Sequence, residues 1–314
     1  MNINKSNVTG VLLMTYGSAT TSKNVDEFLH DVYPDGPDPE LVNEFKRRFD
    51  VVQGSPLVAI TTKQGKELQK YLNKEQPDKN YIIRVGMLHS APYIKDAVAD
   101  LKTGGSDKII GIILSPQFSD FIMSGYRQKL FEATKQLGIK DSNVTVVGPW
   151  PDEPNFIEFI SNSLHKKYVS LKKKYGNNVA IIFTTHSLPQ RVVAKDPSYL
   201  NQLDKTMKAV IKKAKLSNGS WSYAFQSAGH TPEPWLKPDL VDILAELKLR
   251  KVPAVLIVPL QFLSDHLEIL YDLDIAAAEQ CAEFDIVYNR IELPNTNPLF
   301  IKTLAHLVSI HSDH

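Results

Sequence analysis

Eight short runs rich in aliphatic and β-branched residues alternate with longer amphipathic stretches along the whole chain, and this alternation narrows the fold more than any other feature. Residues 8–14, 81–86, 108–114, 144–147, 179–184, 222–225, 254–258 and 284–288 read as strands. Near-continuous apolar runs, without the in/out alternation of a half-wet sheet, belong to parallel strands covered on both faces. Between them, residues 39–49, 61–72, 94–101, 156–175, 200–214 and 268–282 carry the spacing of helices. Strand and helix in turn predict an α/β fold built of parallel sheets flanked by helices.

A weak internal repeat divides the chain. Val11-Leu12-Leu13-Met14-Thr15-Tyr16-Gly17-Ser18 and, much later, Ile113-Leu114-Ser115-Pro116-Gln117-Phe118-Ser119-Asp120 are echoed by Ile181-Ile182-Phe183-Thr184-Thr185-His186-Ser187 and Ile257-Val258-Pro259-Leu260-Gln261-Phe262-Leu263-Ser264-Asp265. Each half has a strand ending in Thr plus a ring residue and a later strand followed by Gln-Phe and Ser-Asp. Duplication and chance likeness between apolar strands both account for this. On the first reading the four segments are carboxyl ends of strands, where open α/β sheets bind ligands, and two facing domains enclose a cleft. The boundary falls at Gly148-Pro149-Trp150-Pro151-Asp152-Glu153-Pro154, giving domains 1–148 and 149–314, with the last helix free to pack back on the first.

The chain has 314 residues, room for two domains of about 150 residues each. Its 36 Lys plus Arg face 35 Asp plus Glu, so it lacks the basic surplus that a phosphate backbone calls for, and no nucleic-acid partner is expected. Cys281 is the only cysteine. It excludes an internal disulfide and cannot by itself hold an iron–sulfur cluster, which takes about four. The first apolar run is far shorter than a signal core or a membrane span of about 20 residues, so the expectation is an untargeted cytoplasmic chain with no transmembrane segment.

Two segments carry candidate chemistry. His186 ends an apolar strand and precedes Ser187-Leu188-Pro189-Gln190. A helix start, with Ser187 as cap, Pro189 in the first turn and Gln190 completing a capping box, explains three of these residues. It leaves unexplained an imidazole at a strand's carboxyl end, which can move protons or touch a metal. In Ser264-Asp265-His266-Leu267-Glu268-Ile269-Leu270-Tyr271-Asp272 the same two readings stand. Asp265 and Glu268 make a capping box, or else Glu268 and Asp272, four residues apart, form an acidic helix face that draws a divalent metal or relays protons.

Tyr16 stands at the end of the first strand, where Gly17 permits a tight turn; packing alone also accounts for it. Gly104-Gly105 precedes a strand and is a connection, and no dinucleotide, Walker, HExxH or GxSxG signature follows any strand. His306, His311 and His314 are expected in a ragged, solvated C-terminus.

Thr185-His186-Ser187-Leu188-Pro189 and Ser264-Asp265-His266-Leu267-Glu268-Ile269-Leu270-Tyr271 resemble the His-Ser-Leu-Pro and Asp-His-Leu-Glu segments of the ferrochelatases. Further matches run in family order: Met14-Thr15-Tyr16-Gly17, Gln53-Gly54-Ser55-Pro56-Leu57, Ser115-Pro116-Gln117-Phe118-Ser119, Gln226-Ser227, Pro234-Trp235-Leu236 and Leu293-Pro294-Asn295. The resemblance implies two Rossmann-like domains, a porphyrin in the cleft and Fe(II) as a substrate. It implies no resident cofactor, and the expected state is a monomer. His186 and Glu268 become the catalytic pair, with Tyr16 and Asp272 beside them as metal contacts. Tyr16, Arg48, Ser55, Tyr126, Trp235 and His266 become porphyrin contacts. Tyr16 is similar to the tyrosine of the coproporphyrin-type enzymes of Gram-positive bacteria, which favours coproporphyrin III over protoporphyrin IX.

Three departures qualify the likeness. The stretch from Arg48 to Ser55 is about one residue short, the acidic track meets Ala276 where relatives often continue with a third acid, and cluster-binding cysteines are missing. Three rivals remain distinguishable. A two-lobed porphyrin carrier binds without turnover, a cobalt or sirohydrochlorin chelatase lacks the paired motifs, and a nucleotide-sugar transferase binds a nucleotide diphosphate.

Overall fold

Val11 to Met14 are fully buried at the centre of a parallel sheet, as an apolar run covered on both faces requires. The computed structural model describes residues 8–119, 121–217, 219–229 and 231–312. Its first half runs β1 (Val8–Thr15), α1 (Val25–Val32), α2 (Pro39–Val51), α3 (Leu57–Glu75), β2 (Asn80–Met87), α4 (Ile94–Thr103), β3 (Ser106–Ile113), α5 (Ser124–Gln136) and β4 (Val144–Val146). Its second runs α6 (Pro154–Tyr175), β5 (Val179–His186), α7 (Gln190–Lys195), α8 (Ser198–Ala214), β6 (Trp221–Gln226), α9 (Leu240–Leu249), β7 (Ala254–Pro259), a π-helix over Ile269–Ala277, α10 (Ala278–Glu283), β8 (Val287–Arg290) and α11 (Pro298–Ser312).

The sheets have strand orders β2-β1-β3-β4 and β6-β5-β7-β8, every pairing parallel. One order used twice agrees with the internal repeat. Helix starts follow local chemistry. Asp38 accepts from Glu40 N at 2.8 Å ahead of Pro39, Glu153 from Phe156 N at 2.8 Å ahead of Pro154, and Asp239 from Val241 N at 3.0 Å.

The chain divides into two compact units. The first holds residues 1–115, 120–148 and 295–314; the second holds 116–119 and 149–294. Within the first, α11 packs on α3, Gln64 Nε2 donates to the Asn295 carbonyl at 2.8 Å, and Gln76 Nε2 donates to Ser309 Oγ at 2.7 Å. The expected ragged C-terminus is therefore a helix through Ser312, because one face of residues 300–308 is apolar and buried; His314 and Asp120 lie outside the described residues. Within the second unit, Gln117 donates to Thr206 Oγ1 at 2.7 Å and to the Leu260 carbonyl at 3.2 Å.

The last expected strand begins three residues later and ends two later, at Val287–Arg290. Phe284 caps α10, Asp285 takes φ +56°, and Ile286 N donates back to the Cys281 carbonyl at 2.8 Å, so pairing begins at Val287. Phe284 and Ile286 are apolar because they pack in the second core, not because they sit in a sheet. Among the described residues no helix is long and apolar enough to cross a membrane.

Candidate active site

His186 is the last residue of β5, paired in register with Gln226 at the end of β6. Its backbone N donates to Gln261 Oε1 at 3.2 Å, and the Tyr199 hydroxyl donates to that oxygen at 3.1 Å. The imidazole Nδ1 lies against the Ser187 carbonyl. A carbonyl can only accept, so Nδ1 carries the hydrogen and Nε2 is the atom left for chemistry. Nε2 faces Glu268 Oε1 at 3.4 Å, while the other carboxylate oxygen faces His266 Nε2 at 3.4 Å. His266 is oriented as His186 is, its Nδ1 donating to the Ser264 carbonyl at 3.0 Å, and the Phe262 ring lies near both imidazoles.

Charge state follows from these contacts. Burial works against charge on His186, but the Glu268 carboxylate outweighs it, helped by the Ser187 carbonyl and Asp272, and the ring is pushed up to about 9. With 27% of its side chain still exposed, the opposition from burial is incomplete. Burial likewise raises Glu268, and the two imidazoles overcome this and hold it well below the usual carboxylate range. The resting pair is imidazolium and carboxylate.

The capping box at Ser187 is corrected by the structure. The Ser187 hydroxyl donates to the Leu236 carbonyl at 3.2 Å, and α7 begins after Pro189 without a side-chain cap. The segment instead zips onto Pro234-Trp235-Leu236. Leu236 N donates to the Leu188 carbonyl at 3.0 Å and Gln190 N to the Pro234 carbonyl at 2.9 Å, with Pro189 bridged to Trp235. Trp235 is half-buried, its ring against Gly229 and its Nε1 donating to Thr231 Oγ1 at 3.1 Å. In the second segment Asp265 accepts from Arg290 at 3.1 Å and Glu268 lies between the two imidazoles.

Beyond Glu268 the helix widens into the π form, which places Asp272 to accept from the Ser227 hydroxyl at 2.5 Å. Ser227 holds φ +56° directly after β6. Ala276 is exposed further along the same helix.

In the first unit Tyr16 follows β1 and is 44% exposed, its ring edge-on to Phe28 and 4.6 Å from that of His89, whose Nδ1 meets Asp31 Oδ2 at 2.7 Å. Gly17 has φ +97°, and a Cβ there would lie 2.6 Å from Ser90 Oγ, so only glycine makes this turn. Arg48, on α2, is bound to Glu44 at 2.8 Å with 21% of its side chain exposed. Ser55 and Tyr126 are the other two expected propionate donors. Both side chains are buried, and the Ser55 hydroxyl, sealed from solvent, has no hydrogen-bond partner among the described residues. Burial, then Tyr16, raises the Tyr126 hydroxyl far above its ordinary value, so it stays neutral.

Residues that sequence reading passed over include His89, Asp31, Tyr199 and Arg290. Gln261 was visible as part of the repeat; the others sit singly in ordinary surroundings and carry no local signal.

The sequence profile of the family described as Ferrochelatase matches residues 8–312. Coproporphyrin III ferrochelatase of Oceanobacillus iheyensis is 33% identical over 302 residues, covering 95% of both chains. That of Geobacillus sp. (strain WCH70) is 34% identical over 95% of this chain and 96% of its own, and that of Bacillus subtilis is 32% identical with the same coverage. Among solved structures, SirB from Bacillus subtilis with Fe3+ superposes with a TM-score of 0.59 at 10% identity, over 96% of this chain and 94% of that one. CbiX, the terminal enzyme for biosynthesis of sirohaem in denitrifying bacteria, gives 0.55 at 12% identity over 96% and 99%. At such identity these two speak for the fold alone. A family profile over nearly the whole chain, and relatives above 30% identity matched from end to end, place the chain in the ferrochelatase family, enzymes that insert iron into a porphyrin.

Proposed function

We propose that the porphyrin is coproporphyrin III, that the product is coproheme, and that His186 and Glu268 handle the metal and the pyrrole protons between them. The observation that carries this reading is His186 Nε2 set 3.4 Å from Glu268 at the end of β5, with Nδ1 committed to a backbone carbonyl. The names of the relatives support coproporphyrin III, and Tyr16 beside Gly17 agrees with it.

Insertion exchanges two pyrrole protons for one Fe(II), so the site needs a place for a dication and acceptors for two protons. The Glu268 anion attracts Fe(II), and the incoming charge expels into solvent, along the exposed part of the ring, the proton that Glu268 had been holding on His186. Neutral Nε2 then accepts a pyrrole proton or donates its lone pair to the metal. Asp272, the next carboxylate along the helix, takes the second proton through its hydrogen bond to Ser227. Among the described residues no three His, Cys, Asp or Glu side chains close around a metal. A site of few protein ligands suits an ion that must leave for the porphyrin. No resident cofactor is needed, and Cys281, buried in the core with its thiol pushed up by burial to about 11, is a poor thiolate donor to any cluster.

Anaerobic assays with Fe(II) and either coproporphyrin III or protoporphyrin IX, followed in the visible spectrum, test the substrate. Coproheme is expected to form faster. Equal rates or a preference for protoporphyrin IX reverse the assignment, and binding of both without metallation restores the carrier reading. Arg48 is proposed as a propionate contact, its guanidinium shared with Glu44. Arg48→Ala is expected to raise the Kd for coproporphyrin III about threefold to tenfold, a fraction of a full charge-assisted hydrogen bond because Glu44 already takes part of the charge. An unchanged Kd in a fluorescence-quenching titration removes Arg48 from the site.

A further inference from the structure

Arg290 ends β8, and its guanidinium serves two carboxylates at once. Nε and Nη2 form a fork on Asp274 at 2.6 and 2.7 Å, Nη2 reaches Asp265 at 3.1 Å, and Nη1 donates to the Ile291 carbonyl at 3.1 Å. The Tyr288 hydroxyl donates to Asp274 as well, at 3.4 Å. Only 15% of the arginine side chain is exposed. These carboxylates bracket the acidic segment: Asp265 lies three residues before Glu268, and Asp274 two residues after Asp272. One largely buried cation thus joins the loop leading into the helix to the π-helix itself, an uncommon form found often at functional sites.

We propose that Arg290 is a positioning residue that keeps Glu268 opposite His186, resting on the role of Glu268 argued above. Without the fork, Asp265 and Asp274 are left half-buried with no shared counter-charge and move apart. The segment between them, which carries His266 and Glu268, then loses the tie that the two carboxylates share. Lysine cannot replace the arginine, because a single ammonium does not span two carboxylates in one plane.

The test is a double-mutant cycle on Zn(II) insertion into coproporphyrin III, read by product fluorescence at high enzyme concentration, with wild type, Arg290→Lys, Glu268→Gln and the double variant. Arg290→Lys is expected to lower kcat about tenfold to a hundredfold, the size typical of partners that orient a metal-site group. KM for the porphyrin is expected to stay within about twofold. In the Glu268→Gln background the same substitution is expected to change kcat less than about twofold, since nothing remains for the clamp to position. Multiplying losses in the double variant, or an unimpaired Arg290→Lys beside an impaired Glu268→Gln, overturns the clamp alone. Glu268→Gln at wild-type rate overturns the role of Glu268 and the clamp with it. If Arg290→Lys does not fold, Asp265→Asn, which removes one carboxylate charge and keeps its shape, enters the same cycle with the same deciding outcomes.

Discussion

His186→Ala is expected to lower kcat for Fe(II) insertion by about a thousandfold while coproporphyrin III still binds. The size follows from losing a positioned proton acceptor, worth about 10²–10⁴ in rate. No neighbour replaces it, because His266 Nε2 lies on the other oxygen of Glu268, not at the end of β5. The substitution leaves β5 intact, since the backbone bond from His186 N to Gln261 and the register with Gln226 use no imidazole atom. Porphyrin affinity, read by quenching, is therefore expected near wild type, while Tm is expected to fall most below about pH 6.5, where the ion pair with Glu268 is intact. Added imidazole is expected to restore part of the rate by filling the space the ring leaves. A rate within fivefold of wild type would falsify the assignment of His186.

Glu268→Gln is expected to cost about a hundredfold in kcat and to shift the titration of His186 downward. Burial alone depresses the imidazole, and the Glu268 charge is what carries it up to about 9. With glutamine the ring falls back toward or below its ordinary value of about 6.5. In the wild type the rate is expected to rise with pH up to about 9, as the resting proton becomes easier to displace; in the variant this limb moves to lower pH. Stability carries the same sign. The raised imidazole contributes fully below about pH 6.5 and loses its contribution as pH climbs through about 9. The lowered carboxylate contributes above its ordinary range, about 4.3, and loses that contribution only as pH falls through its depressed value. Wild type and Glu268→Gln are thus expected to differ most in Tm between about pH 4.5 and 6.5 and to converge above pH 9. NMR titration of the His186 ring gives the direct check, and an unshifted resonance in Glu268→Gln breaks the link between the two groups.

Much of the architecture was legible in the residues. Apolar runs such as Val11–Met14 and Ile181–Phe183 can only be buried on both faces, and one strand order used twice agrees with the repeat. The same reasoning misplaced the last strand, because Phe284 and Ile286 satisfy a core as readily as a sheet and only the left-handed Asp285 tells them apart. The motifs at 185–189 and 264–271 marked the residues of interest but left two local explanations for each.

Tertiary structure removed the cap at Ser187 and brought the two segments together. A capping box is a contact within a few residues, and sequence spacing can suggest it; a carboxylate between imidazoles from β5 and from the loop before its own helix depends on strands far apart in the chain meeting in one sheet. The same holds for the burial of Ser55 and Tyr126, which their position in the chain does not announce. Arg290 is the plainest case. Nothing near it in sequence marks it, and its role comes from three-dimensional proximity to Asp265 and Asp274. The sequence by itself determined which segments are buried and which side chains have reactive chemistry, because hydrophobic periodicity and functional groups are local properties. Which reactive groups meet, in what charge state and held by what, was decided by the packing, because proximity and desolvation arise only once distant segments come together.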